Sequence, residues 1–452
     1  MEVQMDKIRT YIDAHQDEYL ALLQKFLRQP SIAATNTGMR EMADLVKETL
    51  RGMGFEVEEI PTDGYPIVYG FLKGESDRTL MFYNHYDVQP VDPIDEWEVG
   101  PFSGTIKDGK VISRGTADNK GQMLSRLMAI DAYQKVYGKL PMNIKVIYEG
   151  EEEIGSPHLA GFPQLYPDKV AADGVVWEGG GRDTNGPAHI TLGVKGLAYV
   201  ELRVRTANID AHSSNSPIWK NAAWRLVWAL NTLKNEKDEV LIDGFYDDVA
   251  PLTEKDLAFL ESIPYNEKSV LDKMEMDGFV NGVSGTDLLK KLIYAPTCNI
   301  CGIKSGYIEQ GSKTVLPAYA MAKLDFRLVP NMTRERVVEL LRKHLDKHGF
   351  TDVEIVSMPG APAYRTDLNN PLVKAAIAAS EETYHIPPAI YPNSSGTMGV
   401  YYFCHDTGIP CVMYGVANEF SQVHAPNENI YVDDFILGIK MTATVIDKFS
   451  KA

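Results

Sequence analysis

Apolar residues recur along this chain at two spacings, and each spacing implies a different element. In residues 5–30, Ile8, Ile12, Tyr19, Leu20, Leu23, Phe26 and Leu27 recur at helical spacing, which predicts one amphipathic helix. Residues 40–53 repeat the pattern and stop at Gly52 and Gly54. Short apolar runs follow at 67–72, 79–86 and 142–150, with a helical stretch from about 121 to 137 between the last two. Strand, helix, strand at this spacing is a βαβ unit, and it predicts a mostly parallel sheet.

Near residue 190 the texture changes. Residues 190–206 alternate and predict a strand, 218–234 a helix, and 235–295 a charged, loop-rich insertion with helical pieces. A strand at 317–330 and a helix at 334–349, closed by Gly349, complete a small α+β domain. Beyond 360 the first texture resumes, with a helix at 371–384, strands near 388–391 and 410–415, and a helix at 432–450. The expected organisation is therefore an α/β domain in two parts, 1–189 and 358–452, interrupted by an α+β domain at 190–357. No internal repeat or low-complexity tract appears.

Composition removes several classes. The chain has 452 residues, enough for two or three domains, and 44% of them are hydrophobic. A formal net charge of −17 argues against a nucleic-acid partner. No run of about 18 apolar residues occurs, so no membrane span is expected. Residues 1–20 carry charges throughout and do not read as a signal peptide. The only cysteines are Cys298, Cys301, Cys404 and Cys411, a usage that fits a reducing cytoplasm. Cys298 and Cys301 lack partner ligands and read as buried thiols.

Chemistry concentrates in four clusters: Asn84 to Asp87 after a strand, Gly115 to Gly121 before a helix, Glu149 to Ser156 after a strand, and Val175 to Gly180. In open α/β sheets, ligands bind beyond the carboxyl ends of strands, so these clusters are expected to converge. Several carboxylates in one cleft repel, and divalent cations relieve that conflict. A His and carboxylate set suits zinc, and a carboxylate shared between two ions suits hydrolytic chemistry. Plainer readings stand beside this one. Glu151 to Glu153 also reads as a solvated face, and Asp118 as a helix cap. The stretch from Gly104 to Val111 nearly matches a phosphate loop, but Val111 replaces the metal-binding hydroxyl, and it reads as a β-turn. No G-x-S-x-G nucleophile elbow occurs.

Taken jointly, NHYDVQP at 84–90, GTADNKG at 115–121, EEIGS at 152–156 and VHAPNE at 423–428 are more specific. With TLGVKG at 191–196, DAHSSNSP at 210–217, KTVLP at 313–317 and FRLVPNMT at 326–333, they run in order over nearly the whole chain. The sequence resembles the family of dizinc metallohydrolases that includes carnosinase, cytosolic dipeptidase, acetylornithine deacetylase and succinyl-diaminopimelate desuccinylase. It is most similar to the dipeptidase branch.

The resemblance implies a zinc-exopeptidase catalytic domain with an inserted lid and dimerisation domain, and two zinc ions per subunit, with cobalt or manganese as substitutes. It implies His85 and Glu178 on one ion, Glu153 and His424 on the other, and Asp118 bridging both. Asp87 would orient His85, and Glu152 would be the general base. The dipeptidase branch usually carries Asp where Glu178 stands, and Asp173 is the alternative. A cis peptide after Asp118 is implied as well. His212 would reach the partner subunit's site, Arg327 would hold the substrate carboxylate, and Thr314 would touch substrate. Arg327 reads equally as a structural ion pair. The implied activity is hydrolysis of dipeptides or short peptides with a free C-terminal carboxylate, through a metal-bridging water. The rivals are an N-acyl-amino-acid deacylase or desuccinylase with the same metals, and a non-catalytic binding protein of the same fold.

Overall fold

The computed structural model describes residues 2–452, with side chains from Met5 onward. Two compact units emerge. One comprises the chain up to Gly193 together with Thr366–Tyr391 and Tyr402–Ala452; the other comprises Val194–Arg365 and Pro392–Tyr401.

The first unit opens with two helices where periodicity predicts one, α1 (Glu2–Ala14) and α2 (Gln16–Arg28). His15 makes the break. Its backbone leaves the helical region at φ −114°, ψ 19°, and its ring Nδ1 turns back to the Tyr11 carbonyl at 2.8 Å. A side chain bonded to its own backbone competes with the helical ladder. Ile8, Ile12, Tyr19, Leu20, Leu23, Phe26 and Leu27 are nonetheless all buried. The other long helices are α3 (Met39–Gly52), α4 (Lys120–Tyr137), α5 (Pro371–Tyr384) and α6 (Val432–Ser450).

Eight strands form the main sheet: β1 (Glu56–Ile60), β2 (Ile67–Leu72), β3 (Thr79–His85), β4 (Asn143–Glu149), β5 (Gly174–Trp177), β6 (His189–Thr191), β7 (Ala389–Tyr391) and β8 (Cys411–Met413). Their spatial order is β1-β2-β4-β3-β5-β8-β6-β7. The central strands β4, β3, β5 and β8 are parallel, whereas β1 and β2 join antiparallel at one edge. Every residue of β3 and β4 is buried, which explains why both read as continuous apolar runs. Helices α4 and α5 both pack on α6.

In the second unit an antiparallel sheet runs in the order Asn299–Ser305, Tyr319–Leu328, Gly196–Arg205, Glu354–Ser357. Alternate residues Ala198, Val200, Leu202 and Val204 share a core with Leu226 and Leu341 of the helices Ala222–Asn231 and Arg334–Lys347. The apolar stretch 190–206 is thus not one strand. Its start, β6, belongs to the main sheet, and the ten-residue strand Gly196–Arg205 belongs here. The segment 235–295 contains three helices, Glu254–Ser262, Glu267–Met274 and Gly285–Tyr294; Thr253 and Asp256 form a capping box on the first.

All four cysteines are free. Cys298, Cys404 and Cys411 are buried, but Cys301 is exposed. A register shift between Ile300 and Gly302 turns it out of the ladder, and its thiol donates to Asp325 Oδ1 at 3.2 Å. Among the described residues no helix is long and apolar enough to cross a membrane.

Candidate active site

The carboxyl ends of the parallel strands carry the expected residues. His85 ends β3, Glu178 follows β5, and Glu152 and Glu153 lie in a short turn after β4. Asp118 precedes α4, and its peptide to Asn119 is cis. His424 lies between β8 and α6 with φ 62°.

Asp118 stands between the two imidazoles. His85 Nε2 lies 2.9 Å from Asp118 Oδ1 and 3.3 Å from Glu178 Oε2. His424 Nε2 lies 3.1 Å from Asp118 Oδ2 and 3.3 Å from Glu153 Oε2. Asp118 therefore makes no helix cap; Asn119 holds that position without a side-chain cap bond. Behind His85, Asp87 Oδ1 is 3.2 Å from Nδ1, and its two oxygens accept the Glu152 and Glu153 amides at 3.3 and 3.0 Å. One buried carboxylate thus ties the end of β3 to the Glu152–Glu153 turn. Nor is the acidic run a solvated face: Glu151 is buried and paired with His158 at 2.7 Å. Asp173, the alternative to Glu178, sits at the opposite end of β5 and accepts the Thr79 amide at 2.7 Å.

Charge here is unbalanced. Burial, with Asp118, Glu153 and Asp87 adding to it, pushes the Glu152 carboxyl up to about 7 against relief from His85. Burial likewise drives Glu178 well above the carboxylate range. Burial alone would raise Asp118, but hydrogen bonds from His424 and His85 hold it below its usual value. Hydrogen bonds to Asp118 and Glu153 raise His424 to about 10. Among the described residues, Glu153 Oε1 and Glu178 Oε2 are buried without a hydrogen-bond partner. Ligand atoms of His85, Asp118 and Glu153, and of His85, Glu152 and Glu178, lie within 4.8 Å of one another. Orphaned carboxylate oxygens beside imidazoles are a donor set that fits divalent cations.

Two supporting residues escaped the sequence reading. Glu428, wholly buried, accepts the amides of Ala117 and Asp118 at 2.8 and 2.9 Å through Oε1. Its Oε2 accepts from Arg114 Nη1 at 2.7 Å and from the Gly115 amide at 3.0 Å. Its place as the last residue of VHAPNE was the available signal. Gln89 Nε2 donates to Glu153 Oε2 at 2.8 Å.

Within the second unit, Thr314 Oγ1 lies 3.3 Å from His212 Nε2, and both residues are exposed. Arg327 Nη1 donates to Thr397 Oγ1 at 2.9 Å, whose hydroxyl donates to the Lys195 carbonyl at 2.7 Å. Arg327 also has an ion-pair contact, Nε to Asp325 Oδ2 at 3.4 Å, and remains one-third exposed.

Residues 81–448 match the model of Peptidase family M20/M25/M40. Rat Beta-Ala-His dipeptidase is 27% identical over 473 residues, covering 99% of this chain and 96% of that protein. The Cys-Gly metallodipeptidase dug1 of Schizosaccharomyces pombe is 26% identical and covers 100% of this chain and 99% of its own. Among solved structures, the M20 family metallo-carboxypeptidase Sso-CP2 from Sulfolobus solfataricus superposes with a TM-score of 0.89 at 40% identity, covering 96% of this chain and 100% of the other. The cleft of imidazoles and carboxylates at the strand ends, and the match over most of the length, agree: the chain belongs to Peptidase family M20/M25/M40 and is a hydrolase of that family.

Proposed function

We propose that the protein hydrolyses the peptide bond of dipeptides or very short peptides with a free C-terminal carboxylate, using two zinc ions. The observation that carries this reading is Asp118, whose two oxygens face His85 and His424 separately. His85, Asp118 and Glu178 would hold one ion; Asp118, Glu153 and His424 the other. Bound there, the pair would supply Lewis acidity toward the scissile carbonyl and lower the pKa of water. Glu152 has the raised proton affinity of a general base: it takes the proton of the attacking water and returns it to the leaving amine. Asp87 keeps the His85 ring oriented. Arg327, presented by Thr397, would pair with the substrate carboxylate, with Thr314 as a further contact. The named activities of the rat and yeast relatives and of the archaeal carboxypeptidase support a peptidase over a deacylase.

The same reading includes a homodimer formed through the second unit, in which His212 of the partner subunit stabilises the developing oxyanion. Supporting it, Trp219, Trp224 and Trp228 are 51%, 57% and 55% exposed, and the edge strand Asn299–Ser305 turns Ile300 and Ile303 outward. Open edges and apolar patches of this kind are ordinarily covered by a partner. Cytoplasmic residence is supported by the four free thiols.

Purified protein, stripped of metal and reloaded with zinc, cobalt or manganese, is assayed against a dipeptide panel and an N-acyl-amino-acid panel. Dipeptide cleavage that depends on added metal is expected. Turnover confined to N-acyl amino acids would support the deacylase, and binding without turnover a non-catalytic protein.

A further inference from the structure

Arg126 lies in α4 with 1% relative exposure, and among the described residues no carboxylate is paired with it. Its guanidinium meets four neutral oxygens instead. Nη1 donates to the Tyr83 carbonyl at 2.8 Å and to Asn84 Oδ1 at 2.7 Å. Nη2 donates to the Trp177 carbonyl at 2.6 Å and to the Tyr414 carbonyl at 3.2 Å. These acceptors lie at the carboxyl ends of the neighbouring parallel strands β3, β5 and β8. Two of these acceptor residues adjoin a site residue. Asn84 immediately precedes His85, and Trp177 immediately precedes Glu178. The Asn84 amide then donates to Asn119 Oδ1, and Asn119 follows Asp118.

A buried guanidinium with no carboxylate bonded to it is costly, even with Glu178 acting on it through space, and a core that needed only apolar packing at this position would hold a Leu or Met. What this one supplies is geometry: a rigid planar fork that five-donor arginine makes and lysine cannot. We propose that Arg126 is a positioning residue for the metal ligands, setting His85 and Glu178 through their preceding residues and Asp118 through Asn84 and Asn119. The inference rests on the two-cation reading above.

The test is cobalt binding by metal-stripped protein, read by calorimetry and by the visible d–d absorption, which reports ligand geometry. Wild type, Arg126→Lys, Arg126→Met and Asn84→Ala are compared, with circular dichroism as the folding control. Wild type should take up two ions per chain. Both Arg126 variants should bind at least one ion about 10–100-fold more weakly, with an altered spectrum, the range found when partners behind metal ligands are removed. Lysine should not rescue, although it keeps the charge, and Asn84→Ala should perturb the spectrum while leaving the carbonyl contacts of Arg126 in place. Folded variants with wild-type affinity and spectrum would overturn the proposal. If Arg126→Met fails to fold, the lysine and Asn84→Ala variants decide it in the same way. Wild type that binds no cobalt would sink the two-cation reading and this inference together; wild type that binds beside unaltered variants would sink this inference alone.

Discussion

Glu152 and Glu153 are adjacent, yet their surroundings give them different tasks. Glu153 Oε2 receives Gln89 and faces His424, whereas Glu152 is the carboxyl driven up to about 7. Glu152→Gln should retain its metal by elemental analysis while kcat falls about 10²–10⁴-fold, because an amide cannot take the proton. Glu153→Gln should lose one ion per chain. Glu149 makes a different prediction. Burial pushes its carboxyl from 4.5 up to about 8, with Tyr83 and Ser156 hydroxyls donating to it. Below about 4.5 it is protonated in both folded and unfolded chains; from there to about 8 only the unfolded chain releases the proton. Stability therefore falls with rising pH across that window and levels off above it. In metal-stripped protein, Glu149→Gln should remove about 1.4 kcal/mol per pH unit of that slope, measured by denaturation between pH 5 and 8. An unchanged slope would rule out Glu149 as its source.

At the scale of elements, the loop before α4 is held by a side chain more than 300 positions away in sequence. Glu428 accepts from the amides of Gly115, Ala117 and Asp118 and from Arg114. Glu428→Ala should destabilise the first unit by about 3–5 kcal/mol, seen as a lowered thermal midpoint. Replacing both charges, Arg114→Met with Glu428→Leu, should fail to restore it, because the Gly115, Ala117 and Asp118 amides stay orphaned. Full recovery would show that the ion pair alone matters. Element boundaries were most legible where periodicity is long: the helices at 371–384 and 432–450 match α5 and α6 residue for residue. They were least legible where one side chain intervenes, as at His15.

At the scale of the whole molecule, the proposed homodimer supplies the sharpest test. His212→Ala and Glu152→Gln should each be nearly inactive alone, and His212→Ala should keep its metal. Refolded together, they should regain up to about half the activity of a wild-type dimer, since one composite site then holds an intact base and an intact histidine. No recovery despite demonstrated subunit mixing would place His212 outside the neighbouring site. Trp224→Glu with Trp228→Glu should yield monomers by light scattering, because two charges would then lie in the apolar patch.

The sequence by itself determined the periodic elements, the parallel core and the four acidic clusters. Those are local properties: spacing sets which face is apolar, and a metal-binding residue at a strand end lies within a few positions of the run that names the strand. Between Glu178 and Asp173, which the sequence left open, the strand supplies a distinction, since only Glu178 follows the carboxyl end of β5. Tertiary structure alone decided what depends on residues far apart. It brought Glu428 to the Asp118 loop and the Arg126 fork to three strand ends, and it assigned 392–401 to the second unit. A lone arginine in a helix and a glutamate after a histidine carry no local pattern that reveals their partners. Their roles exist only where folding removes water and leaves each buried donor and acceptor to find its match.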